Sequence, residues 1–169
     1  MLRSTKCFII AVAIILLFAI PSFSADYGIQ FGSSMSTFNQ YPTTVGFKIP
    51  QGDYVITPRV GMWMVDYETN NQDDTLTALT LGGTFDYYLP KLTEENLKPY
   101  IGGDLDISFW EFDDNHTATT ITPHFGVEYW LSDKFSVAGQ AGLSFGIGEV
   151  LNAENRVATT SGIFVTYYF

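Results

Sequence analysis

The residues with chemistry to offer are two histidines, His116 and His124, and the carboxylates Asp86, Asp104, Asp106 and Glu128. A histidine beside a carboxylate suggests general acid–base work, which needs hydrogen-bond contact between the two. His124 and Glu128 fall on one face of an extended stretch, four residues apart, which separates them by about 13 Å at the rise of a strand. His116 sits in a short connection beside Thr117 and completes no constellation. Oxygen ligands for a divalent cation occur at Asp73-Asp74 and at Glu111, Asp113 and Asp114, without the spacing or central glycine of an EF-hand. The single cysteine, Cys7, excludes a disulfide framework and a Cys-based metal site. No enzyme, metal or cofactor is therefore expected, and the polar residues must be explained by the elements that carry them.

Composition narrows those elements. Of 169 residues, 46% are apolar, 16% aromatic and only 15% charged, yet the net charge is -10. Eighteen acidic against eight basic residues would repel a phosphate backbone, so nucleic acid is excluded as a partner. A mean hydropathy of +0.11 suggests no helical membrane protein, and 15 glycines do not suit a helical soluble domain.

The N-terminus reads as an address. Arg3 and Lys6 precede an unbroken apolar run from Phe8 to Ile20, and Pro21 ends it. That is the pattern of a secretory signal peptide. As a helix the run would rise about 20 Å, short of a roughly 30 Å hydrocarbon core, so a membrane anchor is disfavoured. Ser22 and Ser24 place cleavage after Ser24, giving a signal over 1–24 and one mature domain over 25–169. Cleavage removes Cys7, Arg3 and Lys6, which leaves six basic residues against eighteen acidic ones.

Downstream, period-2 alternation recurs eight times between turn clusters. The runs are 25–36, 43–49, 54–67, 75–89, 99–112, 117–131, 135–146 and 158–169. Short turns at 50–53, 90–98 and 132–134 alternate with connections at 37–42, 68–74, 113–116 and 147–157, as in an up-and-down sheet. Each run has a bulky apolar face and a small polar one. Ten of the fifteen glycines share the polar face. A water-facing surface has no use for strand glycines, whereas the interior of an eight-stranded barrel admits only small side chains. The small face therefore points inward and the Phe, Ile, Leu, Val and Met face outward into lipid. The expected fold is all-β: a closed eight-stranded antiparallel up-and-down transmembrane barrel. Aromatics near strand ends, Tyr54, Tyr87, Tyr88, Tyr100, Tyr129, Trp130, Phe135, Tyr167 and Phe169 among them, are read as interfacial girdles.

A signal, eight amphipathic strands, longer acidic loops opposite short turns, and a last strand Gly162-Ile163-Phe164-Val165-Thr166-Tyr167-Tyr168-Phe169 resemble the small outer-membrane barrels of Gram-negative bacteria, of the OmpA-barrel and OmpX type. The resemblance implies a place in the bacterial outer membrane, with both termini on the periplasmic side. It also implies contact with membrane lipid and lipopolysaccharide, and action as a monomer. Tyr167 and the terminal Phe169 are similar to the signal read by the barrel assembly machinery. Some barrels of this size modify lipid A, but the deacylase pattern of His followed closely by Ser-Asn is absent, since Phe125-Gly126-Val127 follows His124.

The inward face carries Lys48, Arg59, Asp86, Asp104, Asp106, His124 and Glu128, with Gln30 and Gln140. Two cations facing four carboxylates in a narrow, low-dielectric lumen must pair. Arg59 is expected to bridge toward Asp86 or Asp104, and Lys48 and Glu128 to complete a polar plug. The function this implies is a non-enzymatic role in envelope integrity or surface interaction. The alternative is a narrow channel or binder for small or apolar solutes in the style of OmpW-type barrels, with Trp63, Trp110 and Phe112 lining an upper pocket.

Overall fold

The structure, a computed structural model of the chain, describes residues 27–36, 40–69, 72–111, 115–150 and 153–169. Strand residues 35–36, 40–42, 63–69, 72–77, 110–111, 115–116, 148–150 and 153–155 are described through their backbone only. The signal peptide expected over 1–24 lies outside the described residues, as do Phe112, Asp113 and Asp114.

Eight strands follow one another: β1 (Gly28–Ser36), β2 (Gln40–Gln51), β3 (Tyr54–Thr69), β4 (Gln72–Tyr88), β5 (Leu97–Glu111), β6 (Asn115–Ser132), β7 (Phe135–Val150) and β8 (Ala153–Tyr168). Each pairs antiparallel with its sequence neighbours. β1 also pairs with β8, from Gly28↔Tyr168 to Ser36↔Thr160, so the sheet closes without an edge. Closure is what a sheet in hydrocarbon requires, because no water is there to satisfy an open edge.

The turn end is tightly built. Gln51 pairs with Tyr54 around Gly52-Asp53, and Gly52 takes φ +68°, the left-handed region that a two-residue hairpin turn demands. Backbone bonds join each turn or end to its neighbour: Tyr88 N–H to the Asp53 carbonyl at 2.7 Å, Trp130 N–H to Asn96 at 2.8 Å, and Tyr168 N–H to Lys134 at 2.8 Å.

At the opposite end the strands run further than alternation foretells. Where a connection over 147–157 was expected, β7 runs to Val150 and β8 begins at Ala153, with Ile147 paired to Asn155 and Val150 to Ala153. Likewise β3 reaches Thr69 and β4 begins at Gln72, where a connection over 68–74 was expected. Apolar alternation marks only the part of a strand that faces lipid; beyond it, backbone pairing continues whatever the side chains are. Strands of 15 to 18 residues in β3 to β8 exceed the nine to eleven that cross a bilayer.

Ile56, Val60, Phe85, Leu105, Phe125, Leu143 and Ile163 stand on the outside, exposed. Such a continuous apolar surface belongs in hydrocarbon rather than water. Alternate residues face a filled interior: Val55, Thr57, Thr84, Asp86, Asp104, Thr122, Ser136, Ala138 and Phe164 are all buried. The barrel is thus a transmembrane one, with its small polar face inside. One part of the aromatic assignment needs correcting. Tyr54, Tyr87, Tyr129, Tyr167 and Phe169 are exposed on the outer wall. Tyr88, Tyr100 and Trp130 instead share the inward parity. Tyr100 is buried against Ala138 and Phe164, with Tyr88 packed beside them, and Trp130 stacks on Tyr168 with ring centroids 4.5 Å apart. They are interior residues with polar tips to satisfy, not lipid girdles.

Candidate functional site: the polar lumen

The inward charges form two layers. Nearer the turn end, Lys48 on β2 reaches across the barrel to Glu128 on β6, with Nζ 3.0 and 3.1 Å from its two carboxylate oxygens. The side chains are 2% and 0% exposed. Glu128 also accepts hydrogen bonds from the Tyr88, Ser136 and Tyr168 hydroxyls, the last at 2.9 Å. Five donated bonds thus converge on one carboxylate, which is how a fully buried charge is made tolerable. The Lys48 ammonium lies about equally far, 6.0 and 5.9 Å, from the ring centroids of Tyr88 and Tyr168.

The second layer is a chain in which basic side chains alternate with carboxylates. Arg59 on β3 grips Asp106 with two bonds, Nε to Oδ1 at 3.1 Å and Nη2 to Oδ2 at 2.6 Å, and its Nη1 lies 3.2 Å from Asp104 Oδ1. Asp104 accepts from Thr84 at 2.6 Å. His124 stands between two carboxylates, Nε2 2.8 Å from Asp86 and Nδ1 3.5 Å from Asp104. Of the two partners foreseen for Arg59, the structure brings it to Asp104, while Asp86 is taken by His124. Its strongest contact, Asp106, was not anticipated.

Inward glycines sit where these partners meet. In register across β3, β4 and β5, Gly82 lies between Arg59 and Asp106. Gly102 lies between Asp86 and His124 across β4, β5 and β6. Gly126 lies between Tyr100 and Gln140, whose side chains approach to 3.4 Å. A Cβ at Gly82 would overlap Asp106 Oδ1. One at Gly102 would overlap Asp86 Oδ1 and the Phe85 carbonyl and lie 2.7 Å from His124 Nε2. The pattern has one physical reason: where two long side chains stand in register on strands i and i+2, a residue with no side chain between them leaves room for the two to meet.

Tyr88, Tyr168, Ser136 and Thr84 belong to the network but were not singled out from sequence. The signal that finds them is parity: Thr84 and Tyr88 lie two residues either side of Asp86 on β4, Ser136 alternates in step with buried Ala138 on β7, and Tyr168 with buried Phe164 and Thr166 on β8. Tyr167 and Phe169, the candidate assembly signal, face outward; Tyr167 pairs with Ile29 and Phe135, and the Phe169 N–H bonds the Tyr27 carbonyl at 2.9 Å. The side chains of Trp63, Trp110, Asp73, Asp74, Glu111 and His116 lie outside the described residues, so the expected upper pocket and acidic rim have no geometry to report. At the turn end an open hollow of about 500 Å³ is lined by Pro50, Asp53, Tyr88, Lys98, Trp130 and Tyr168. Its floor is the Tyr88–Tyr168 side of the Glu128 hub.

A closed eight-stranded barrel with an apolar exterior and a charge-paired lumen defines a class, the small transmembrane β-barrels. Neither a family model nor a curated protein matches the sequence. Among solved structures, OprH, outer membrane protein H of P. aeruginosa, aligns with a TM-score of 0.56 at 16% identity, covering 86% of this chain and 100% of that one. Neisserial surface protein A aligns at 0.54 and 14% identity over 85% and 95%. The Yersinia pestis outer membrane protein Ail in a phospholipid bilayer nanodisc aligns at 0.51 and 9% over 86% and 100%. At these identities the likeness is one of fold, and the fold is that of the small outer-membrane barrels.

Proposed function

We propose that the chain is a small integral protein of the bacterial outer membrane, exported by a signal over 1–24, whose lumen is closed and whose role is non-enzymatic, in envelope integrity or surface interaction. The observation that carries this reading is the Lys48–Glu128 layer. Side chains from β2, β4, β7 and β8 meet on one carboxylate of β6, and Tyr100 and Phe164 are buried in the same interior. Eight strands leave little free interior to begin with. Outward Tyr167 and Phe169 support recognition by the assembly machinery, and the apolar wall supports contact with lipid and lipopolysaccharide.

The test is conductance in planar bilayers. The purified barrel is expected to show no steady large current, and Arg59→Ala to raise whatever small current it has. A large steady current in the wild type that Arg59→Ala leaves unchanged would overturn the closed-lumen reading.

A further inference from the structure

Two prolines stand in the middle of membrane-spanning strands, Pro58 on β3 and Pro123 on β6. A proline has no N–H to give a ladder, so within sheets it is confined to edges and irregular places. Each interrupts pairing on one side only. Between β6 and β7 the pairs run from Ile121↔Phe145 to His124↔Gly142 and skip Thr122 opposite Ser144 and Pro123 opposite Leu143. Between β2 and β3 they run from Gly46↔Arg59 to Ile49↔Ile56 and skip Phe47 opposite Pro58 and Lys48 opposite Thr57. On their other sides both prolines keep their pairs, Gly83↔Pro58 and Gly103↔Pro123.

The two gaps are closed differently. At the β6–β7 gap the facing Thr122 and Ser144 hydroxyls bond each other at 2.9 Å, a clasp across the interruption. At the β2–β3 gap the equivalent pair is Lys48 and Thr57. Thr57 is buried at 1% exposure, and its hydroxyl has no hydrogen-bond partner. Lys48 points away from the gap to Glu128 on the far wall.

We propose that the β2–β3 seam at Pro58 is the place where the wall opens between lumen and membrane, and that the Lys48–Glu128 strut is the latch holding it shut. The strut spans from β2 to β6 and pulls on the strand that the seam leaves unsupported. Opening there gives water access to the Thr57 hydroxyl, which has no hydrogen-bond partner when the wall is closed. This rests on the lumen geometry alone and is independent of the envelope role.

Amide hydrogen exchange on the folded barrel in phospholipid bilayers tests it. In the wild type, the amides within 45–49 and at 56, 57, 59 and 60 are expected to exchange at least about tenfold faster than those at 121, 122 and 124 and within 142–145. Lys48→Met should speed the first set further and leave the second unchanged; Pro58→Val, which restores a donor, should slow it. Ser144→Ala should bring the β6–β7 seam toward the rate of the other. Equal rates at the two seams in the wild type would overturn the proposal, and that comparison needs no variant to fold. Acceleration spread evenly round the barrel in Lys48→Met, or no slowing in Pro58→Val, would also overturn it.

Discussion

The two layers of the lumen solve one electrostatic problem in opposite ways. In the Lys48–Glu128 layer a single carboxylate is the hub and five bonds converge on it from four residues. In the Arg59 layer no atom is the centre. Asp106, Arg59, Asp104, His124 and Asp86 follow one another as a chain, each charge shared between neighbours on β3 to β6. A hub concentrates cost in one residue and gives redundancy to its partners. A chain spreads cost and depends on register, since Arg59 must reach over β4 to Asp104 and Asp106, and His124 over β5 to Asp86.

Breaking the hub should have the largest effect. Glu128→Leu leaves the Lys48 ammonium buried with no counter-charge and deprives three hydroxyls of their acceptor. Removing one partner of a buried pair typically costs about 3–5 kcal/mol, whereas replacing both with apolar groups is often close to neutral. Unfolding of the barrel in urea with lipid present is therefore expected to shift sharply for Glu128→Leu. The double variant Lys48→Met with Glu128→Leu should recover much of the loss. A double variant no more stable than the single one would mean that the tyrosines and Ser136, not the ion pair, hold the hub.

How much of this was legible beforehand differs between the layers for the same reason. Alternation placed Lys48, Arg59, Asp86, Asp104, Asp106, His124 and Glu128 on one face, because the face of a strand residue is fixed by its parity. The choice of partners depends on register across three strands, and apolar alternation leaves register free by steps of two. Arg59 could thus be sent toward Asp86 or Asp104, but its bidentate contact with Asp106 appears only once the register of β3, β4 and β5 is known. Tyr88, Tyr100 and Trp130 were misassigned because an aromatic near a strand end suits a girdle or a plug equally; only parity separates them, and Tyr87 and Tyr88 are adjacent. The ends of the strands toward the loops were invisible, since pairing such as Ile147↔Asn155 uses backbone alone. The glycines were read as small interior residues. Their places between Arg59 and Asp106, and between Asp86 and His124, appear once register is known.

That placement gives the chain its own test, of intermediate size. Gly82→Ala would set a methyl on Asp106 Oδ1 and against the Leu105 carbonyl, 2.7 Å away. Overpacking of this kind costs about 1–3 kcal/mol. Because the methyl sits between Arg59 and Asp106, Gly82→Ala in an Arg59→Met background should cost less than in the wild type. Gly139→Ala, where a Cβ meets nothing within 4 Å on the outer wall, is the control and should be close to neutral. If the two alanine variants lose equal stability, the glycines are there for the strand and not for the reach of the charges over them.

The smallest effect tests the redundancy of the hub. Tyr88→Phe deletes one donor from Glu128 and leaves the ring in place; Tyr100, in edge contact at 5.8 Å between centroids, keeps its neighbour. Glu128 retains Lys48, Ser136 and Tyr168, so no buried acceptor is orphaned. The hydroxyl also accepts from Lys48 Nζ at 3.3 Å, so the expected loss is about 1–2 kcal/mol, that of two exchanged hydrogen bonds. Tyr168→Phe should behave alike, although its ring also carries the stack with Trp130. The double variant should lose more than the sum of the two singles, because the second deletion leaves Lys48 and Ser136 alone to satisfy the carboxylate and residues sharing one partner do not act additively. Simple additivity would mean that each tyrosine acts on the carboxylate independently, which is the behaviour of a chain and not of a hub.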